Sequence, residues 1–215
     1  MPAPSALRRL TGRHRAHPHP GVFNVAHRVE LTGALDEDAL TGALRALVAR
    51  HPALRARVAG ERVEILAEAE VEVEVTETDL AGLSDADVDR WCQETARQPF
   101  DLARAPLFRF RLGRLAPDRR LLLVVLHHAI CDGWSMGLLW HDLSALYAGR
   151  PLPRPAAGYP DYARWADAQL TGERRETLER FWRTELAGVP LRPALPADRS
   201  RPPVLSGRGA LHTVT

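Results

Sequence analysis

An apolar run that ends in two histidines constrains this chain more than any other feature. Residues 121–126 are all leucine or valine, and a polar turn at residues 117–120 precedes them. Such a run is typical of a strand buried on both faces of a sheet. His127 and His128 follow directly, and because side chains alternate along a strand, we expect the two imidazoles to point to opposite sides of the sheet. One imidazole can then line a cleft while the other packs inward.

The turn after this strand carries further groups that could do chemistry. Histidine titrates near neutral pH, so His128 could move a proton in a transfer reaction; the alternative is a core histidine hydrogen-bonded at a strand end. His127, on the opposite side, is interpreted as mostly structural. Asp132 could accept a proton, cap the helix that Trp134 opens, or pair with an arginine. Gly133 could supply backbone conformations closed to other residues, or room for reactants.

The rest of the chain alternates strand and helix patterns. We predict strands at 23–31, 57–59, 62–66, 71–75 and 108–112, and helices that follow Asp36, Ser84 and Asp132 or lie at 160–169 and 173–186. The tryptophans at 134, 165 and 182 are assigned to the core. This order favours an α/β fold, a two-layer sandwich in which helices cover a mixed sheet. Residues 1–21, rich in Arg, His and Pro, are predicted to be a loop segment, and residues 187–205 a Pro-rich linker.

Composition and motif searches argue against several classes of protein. With 29 Lys and Arg against 27 Asp and Glu, the net charge of +2 gives no reason to expect nucleic acid or a membrane surface as partner. No apolar run reaches the roughly 18 residues of a spanning helix. The two cysteines, Cys92 and Cys131, do not suggest a disulfide framework, so we expect a cytoplasmic protein. Adjacent histidines diverge on a strand and no third ligand follows, so no metal site is predicted. The chain lacks the Gly-x-Ser-x-Gly motif of serine hydrolases.

The run from His127 to Gly133 resembles the HHxxxDG signature of condensation domains in nonribosomal peptide synthetases, within the superfamily of chloramphenicol acetyltransferase. Other motifs of that family appear in the same order along the chain: Arg50-His51-Pro52-Ala53-Leu54-Arg55, Gln98-Pro99-Phe100-Asp101-Leu102 and Tyr159-Pro160-Asp161-Tyr162. The family's opening motif, with a Gln and a Trp, is absent from residues 5–10. The resemblance implies a chloramphenicol-acetyltransferase-like half domain, with a condensation-domain N-terminal lobe at 22–186. Residues 187–215 would then be the linker and the first strand of the crossing toward an absent second lobe.

The resemblance also implies a function. The family joins two thioesters held on peptidyl or acyl carrier proteins, so the expected chemistry is amide-forming acyl transfer, with His128, His127, Asp132 and Gly133 at the catalytic motif. It favours a structural ion pair between Asp132 and either Arg50 or Arg55. No cofactor is expected to bind directly, because the phosphopantetheine arm belongs to the carrier. Two alternatives remain: a catalytically silent carrier-binding or scaffold module, and a coenzyme A-dependent acyltransferase completed by self-association or by a second-lobe polypeptide.

Overall fold

The strand that ends in the two histidines lies inside a mixed sheet. The computed structural model describes residues 1, 3–190, 196, 199 and 200. Strands β1 (Asn24–Thr32), β4 (Val75–Asp79), β5 (Phe108–Ala116) and β6 (Arg119–His127) form one sheet in the order β1-β6-β5-β4. β6 pairs antiparallel with β1 and β5, whereas β4 pairs parallel with β5 at the edge. Every residue from 121 to 127 is buried, which confirms the buried strand and the α/β class.

Three helices pack around this sheet, and two of them begin at the caps that the sequence predicts. α2 (Glu37–Arg50) begins where the Asp36 carboxylate accepts from the amide of Ala39, and α3 (Asp85–Arg97) begins at Ser84 in the same way. α4 (Gly133–Tyr147) follows β6. The apolar stripe of α2 is buried, and α2 packs against α4 while α3 contacts β1.

The N-terminal segment is folded, so the loop predicted for residues 1–21 is wrong. Residues Ser5–Ala16 form α1, whose buried positions Leu7, Thr11 and His14 recur at helical spacing. The segment is held by the hairpin of β2 (Ala56–Ala59) and β3 (Arg62–Ile65), because the backbone of Met1 exchanges hydrogen bonds with Val63. The high content of Arg and His concealed a helix whose stability comes from burying one face.

The C-terminal part of the chain follows the predicted helices more closely than the predicted packing. α5 (Tyr159–Ala168) and α6 (Gly172–Glu185) occur as expected, and the chain divides after Asp167 into two units. The core position predicted for Trp182 is wrong, since this residue is more than half exposed and α6 buries no residue. Helical spacing reveals an apolar stripe but not whether anything covers it.

The start of β4 differs from the sequence prediction, and the predicted C-terminal linker lies partly outside the described residues. The strand expected at 71–75 begins only at Val75, because residues 68–70 form a short 3₁₀ turn and leave Val71 buried outside the sheet. The predicted linker at 187–205 is described only in part, and the crossover strand lies outside the described residues. The lobe boundaries 22–186 therefore stay predictions. Among the described residues, no helix is long and apolar enough to cross a membrane.

Candidate active site

The end of β6 separates the two histidines as the strand geometry predicts. The imidazole of His127 is completely buried, whereas His128 is exposed. The backbone holds both residues from opposite sides: the amide of His127 donates to the carbonyl of Leu107, and the amide of His128 donates to the carbonyl of Phe23. The strand therefore presents a single imidazole to solvent at this position.

A hydrogen bond within the turn orients His128. Its Nδ1 lies 2.8 Å from the carbonyl oxygen of Cys131. A carbonyl can only accept, so the neutral imidazole carries its proton on Nδ1 and leaves the lone pair of Nε2 free. An exposed side chain with a fixed ring and a free Nε2 lone pair is suited to accept a proton or to orient an N–H group.

The ion pair predicted between Asp132 and an arginine is wrong. Asp132 instead caps α4, since its Oδ1 accepts from the amide of Ser135 at 2.8 Å and from the Ser135 hydroxyl at 2.7 Å. These hydrogen bonds lower the pKa of the Asp132 carboxyl. The residue is exposed, so water and a neighbour three positions away satisfy it without a distant cation.

The two candidate arginines bind groups of α2 and α4 and not Asp132. Arg55 donates to the carbonyls of Val48 and Ala49 in the last turn of α2, and to the carbonyl of Leu66. It thereby supplies donors for helix-end carbonyls that have no partner within the helix. Arg50 donates through Nε to Oδ2 of Asp142 at 2.8 Å, and through its terminal nitrogen to the carbonyl of Pro153 at 2.6 Å.

The buried partner of Arg50 is a carboxylate that the sequence analysis missed. Asp142 lies on the inner face of α4 with 8% of its side chain exposed, and it also contacts Nε2 of His51 at 2.8 Å and Nδ1 of His141 at 3.0 Å. Burial alone would raise the pKa of this carboxyl, but the hydrogen bonds from His141, Arg50 and His51 lower it overall. The sequence did contain a signal for this site: Asp142 lies within the apolar stripe of a predicted helix. A carboxylate buried there needs a charged or hydrogen-bonding partner.

Gly133 and Trp134 also differ from the simplest expectations. Gly133 does not have a positive φ, and a Cβ built on it would meet no atom within 4 Å. The first role considered for Gly133, a backbone conformation closed to other residues, is therefore wrong. What the residue provides is open space at the start of α4. The side chain of Trp134 is 83% exposed rather than in the core, and Trp165 is 60% exposed. Both tryptophans were assigned to the core in error, because an aromatic residue alone does not show which side is covered.

A small apolar pocket lies beside the turn. It has a volume of about 120 Å³ and is lined by His51, Leu54, Ile130, Cys131, Ser135 and Leu138, among others. Burial, together with the nearby Asp132, raises the pKa of the Cys131 thiol to about 12, so this cysteine is not a thiolate nucleophile near neutral pH. No group of three or more potential metal ligands occurs among the described residues.

Comparison with known proteins identifies the family. The sequence model of the condensation-domain family matches residues 6–213. The chain belongs to the condensation-domain family. Condensation-domain relatives include a linear gramicidin synthase of Brevibacillus parabrevis, 34% identical over all of this chain and 3% of that protein. Phosphinothricin tripeptide synthetase PhsC of Streptomyces viridochromogenes is 36% identical over 98% of this chain and 20% of its own length. These relatives are nonribosomal peptide synthetases.

Solved structures show the same architecture. The X-domain from teicoplanin biosynthesis superposes with a TM-score of 0.82 and 30% identity, covering 94% of this chain and 46% of that one. The first condensation domain of the calcium-dependent antibiotic synthetase gives a TM-score of 0.74 and 26% identity over 87% of this chain and 48% of its own. The chain thus spans about half the length of the solved condensation domains that it matches.

Proposed function

We propose that this chain is the N-terminal lobe of a condensation domain that forms amide bonds between thioesters held on carrier proteins. The partners would be peptidyl or acyl carrier proteins, each presenting its substrate on a phosphopantetheine arm, and the lobe itself would bind no cofactor. A cytoplasmic location is part of the proposal, because Cys92 and Cys131 are both free and buried.

The observation that supports catalysis best is the hydrogen bond from Nδ1 of His128 to the carbonyl of Cys131. It fixes the proton on one nitrogen and leaves the other nitrogen free on an exposed side chain. In the proposed step, the acceptor amine attacks the thioester carbonyl carbon and its proton passes to Nε2 of His128. Collapse of the tetrahedral intermediate breaks the carbon–sulfur bond, and the proton returns to the departing sulfur. The products are one amide and one free thiol, and the histidine is regenerated.

The remaining motif residues shape the turn in this proposal. Asp132 caps α4 through Ser135, Gly133 leaves open space at the start of α4, and His127 anchors the strand end in the core. Arg50 and Arg55 act at a distance, by holding α2 and α4 together and by satisfying the end of α2. None of these five needs to contact the reacting atoms.

The experiment is a condensation assay with donor and acceptor loaded on carrier proteins, in which the amide product is followed by mass spectrometry. In the complete domain, His128→Ala should lower the rate about 100- to 10,000-fold, the range of general acid–base contributions. His19→Ala, at an exposed histidine outside the turn, is the matched control and should keep the parental rate. Near-normal turnover by the His128 variant contradicts the proposal.

The same assay tests whether one lobe is enough. Catalysis by positioning fails when a reacting distance is wrong by even about an ångström, at a cost near 100-fold. We therefore expect residues 1–215 alone to show little or no amide formation, and a second-lobe polypeptide or self-association to restore it. Robust condensation by a demonstrably monomeric 215-residue chain would mean that one lobe carries a complete site.

A binding role is the second candidate, and one comparison favours it. The X-domain of teicoplanin biosynthesis is similar to this chain at 31% identity in a structure where it is in complex with OxyB. A domain of this fold, about twice as long as this chain, is thus found in complex with another protein. If the parental domain forms no amide and transfers no acyl group from coenzyme A, yet retains a loaded carrier protein in a sizing experiment, this candidate replaces catalysis.

A further inference from the structure

Two buried histidines join the N-terminal helix to the catalytic turn. Nδ1 of His14, on α1, lies 3.0 Å from Nε2 of His127, at the end of β6, although 113 residues separate them. His127 is fully buried and His14 is 9% exposed, and their rings meet edge to face with centroids 4.8 Å apart. The rings of Phe23 and Phe100 flank His127. The pair therefore lies in an apolar setting where each ring nitrogen needs a defined partner.

The positions of the protons follow from counting donors. The amide of Ala129 donates to Nδ1 of His127 at 3.0 Å, so that nitrogen carries no proton. The proton of His127 is then on Nε2 and is donated to Nδ1 of His14. The proton of His14 must then be on its remaining nitrogen, Nε2. The result is a one-way relay of hydrogen bonds from Ala129 through His127 to His14.

This relay is complete only when both imidazoles are neutral. A second proton on His127 would face the amide of Ala129, and a second proton on His14 would face the N–H of His127. Burial lowers the pKa of both groups, that of His127 to about 4, so both are neutral at pH 7. The charged or titratable neighbours are Arg15 and Asp101 beside His14, and His128 beside His127.

The relay begins on the turn that carries the exposed histidine. Its first donor is the amide of Ala129, directly after His128, and the same turn is closed by the amide of Ile130, which donates to the carbonyl of His127. The backbone on both sides of His128 is thus tied to the buried pair. We propose that His14 is a positioning residue, which acts through His127 to hold the turn in the conformation that orients His128. The part of this inference that concerns rate rests on the proposed function.

The test compares two substitutions of His14 in the complete domain. Asn places an acceptor oxygen where Nδ1 of His14 lies, whereas Leu fills a similar volume without an acceptor. The readout is the ¹⁵N spectrum of histidine side chains at pH 7, which shows whether His128 keeps its proton on Nδ1. We expect His14→Asn to keep that single tautomer and His14→Leu to lose it. Leu7→Ala, which weakens the packing of α1 without touching the relay, should lower the melting temperature and leave the tautomer unchanged.

Kinetics give a second readout. His14→Leu should lower kcat at least 10-fold with KM changed less than 2-fold, and His14→Asn should recover kcat to within 3-fold of the parent. A folded His14→Leu domain with an unchanged His128 tautomer overturns the inference. If the His14→Leu variant does not fold, His14→Gln replaces it in the comparison with His14→Asn, because the acceptor oxygen of Gln lies at a different position from Nδ1 of His14. If the parent forms no amide at all, the proposed function fails while the spectra still decide the positioning role.

Discussion

The exposed and buried sides of the connection between β6 and α4 are held in different ways. On the exposed side, His128 and Asp132 each bond to a group three residues further along the chain, Cys131 and Ser135. On the buried side, His127 bonds to a residue 113 positions away, and Asp142 bonds to Arg50 across 92 positions. The exposed groups thus depend on short-range contacts, whereas the buried groups make the long-range contacts that fix the turn in the fold. The comparison predicts that substitutions on the two sides will separate loss of activity from loss of stability.

The largest effect on stability is expected at Asp142. Asp142→Ala removes the acceptor of Arg50 and His51 and leaves a largely buried guanidinium without its partner, which typically costs about 3–5 kcal/mol. The free energy of unfolding in denaturant measures it. Asp89→Ala is the matched control, because it breaks an exposed ion pair between α3 and Arg28 that should contribute less than about 1 kcal/mol. Equal losses of stability in the two variants would contradict the proposed difference between buried and exposed contacts.

Acid should weaken the buried side selectively. The pKa of His127 is lowered by burial, and by His14 and His128, from 6.5 to about 4 in the folded protein. Between these values the unfolded chain binds more protons, so this contribution is full above pH 6.5 and is lost as the pH falls toward 4. A shift of this size corresponds to about 3 kcal/mol at most.

The measurement is the free energy of unfolding between pH 7.5 and 4.5 for the parent and for His127→Leu. The variant loses stability at every pH, but the difference between the two proteins should shrink as the solution becomes acidic. Carboxylates titrate alike in both proteins and cancel in that difference. A difference that stays constant over the whole range would show that His127 does not act through its neutral form.

The smallest effect is expected at Asp132, on the exposed side. Asp132→Ala removes the cap of α4 and should cost about 1 kcal/mol, and Asp132→Asn, which can still accept from Ser135, should be close to neutral. Chemical denaturation of both variants checks this. A loss of several kcal/mol in the free energy of unfolding of the Asp132→Asn variant would instead indicate an ion pair between Asp132 and an arginine, which the structure contradicts.

Much of the fold could be predicted because its signals are local. The apolar run of β6, the caps at Asp36 and Ser84, and the buried stripe of α2 depend on residue types at short spacing, and each occurs as expected. The cap at Asp132 was one of three roles left open, and the ion pair favoured for that residue does not form. The divergence of His127 and His128 follows from strand geometry alone. Strand geometry does not say which of the two is exposed, and the choice of His128 came from the family resemblance.

Other features depend on which surfaces meet, and short spacing does not encode that. The composition of residues 1–21 suggested a loop, yet α1 forms because the hairpin and the sheet bury one of its faces. Asp132 and Asp142 lie on the same helix, and only the packing of α2 against α4 decides which of them meets Arg50. Likewise, His14 becomes the partner of His127 only because α1 folds back beside the end of β6. The sequence by itself determined the strand, the caps at Asp36 and Ser84, and the divergence of His127 and His128. The tertiary structure decided the partners of the buried charges and rings, because those contacts join segments about a hundred residues apart.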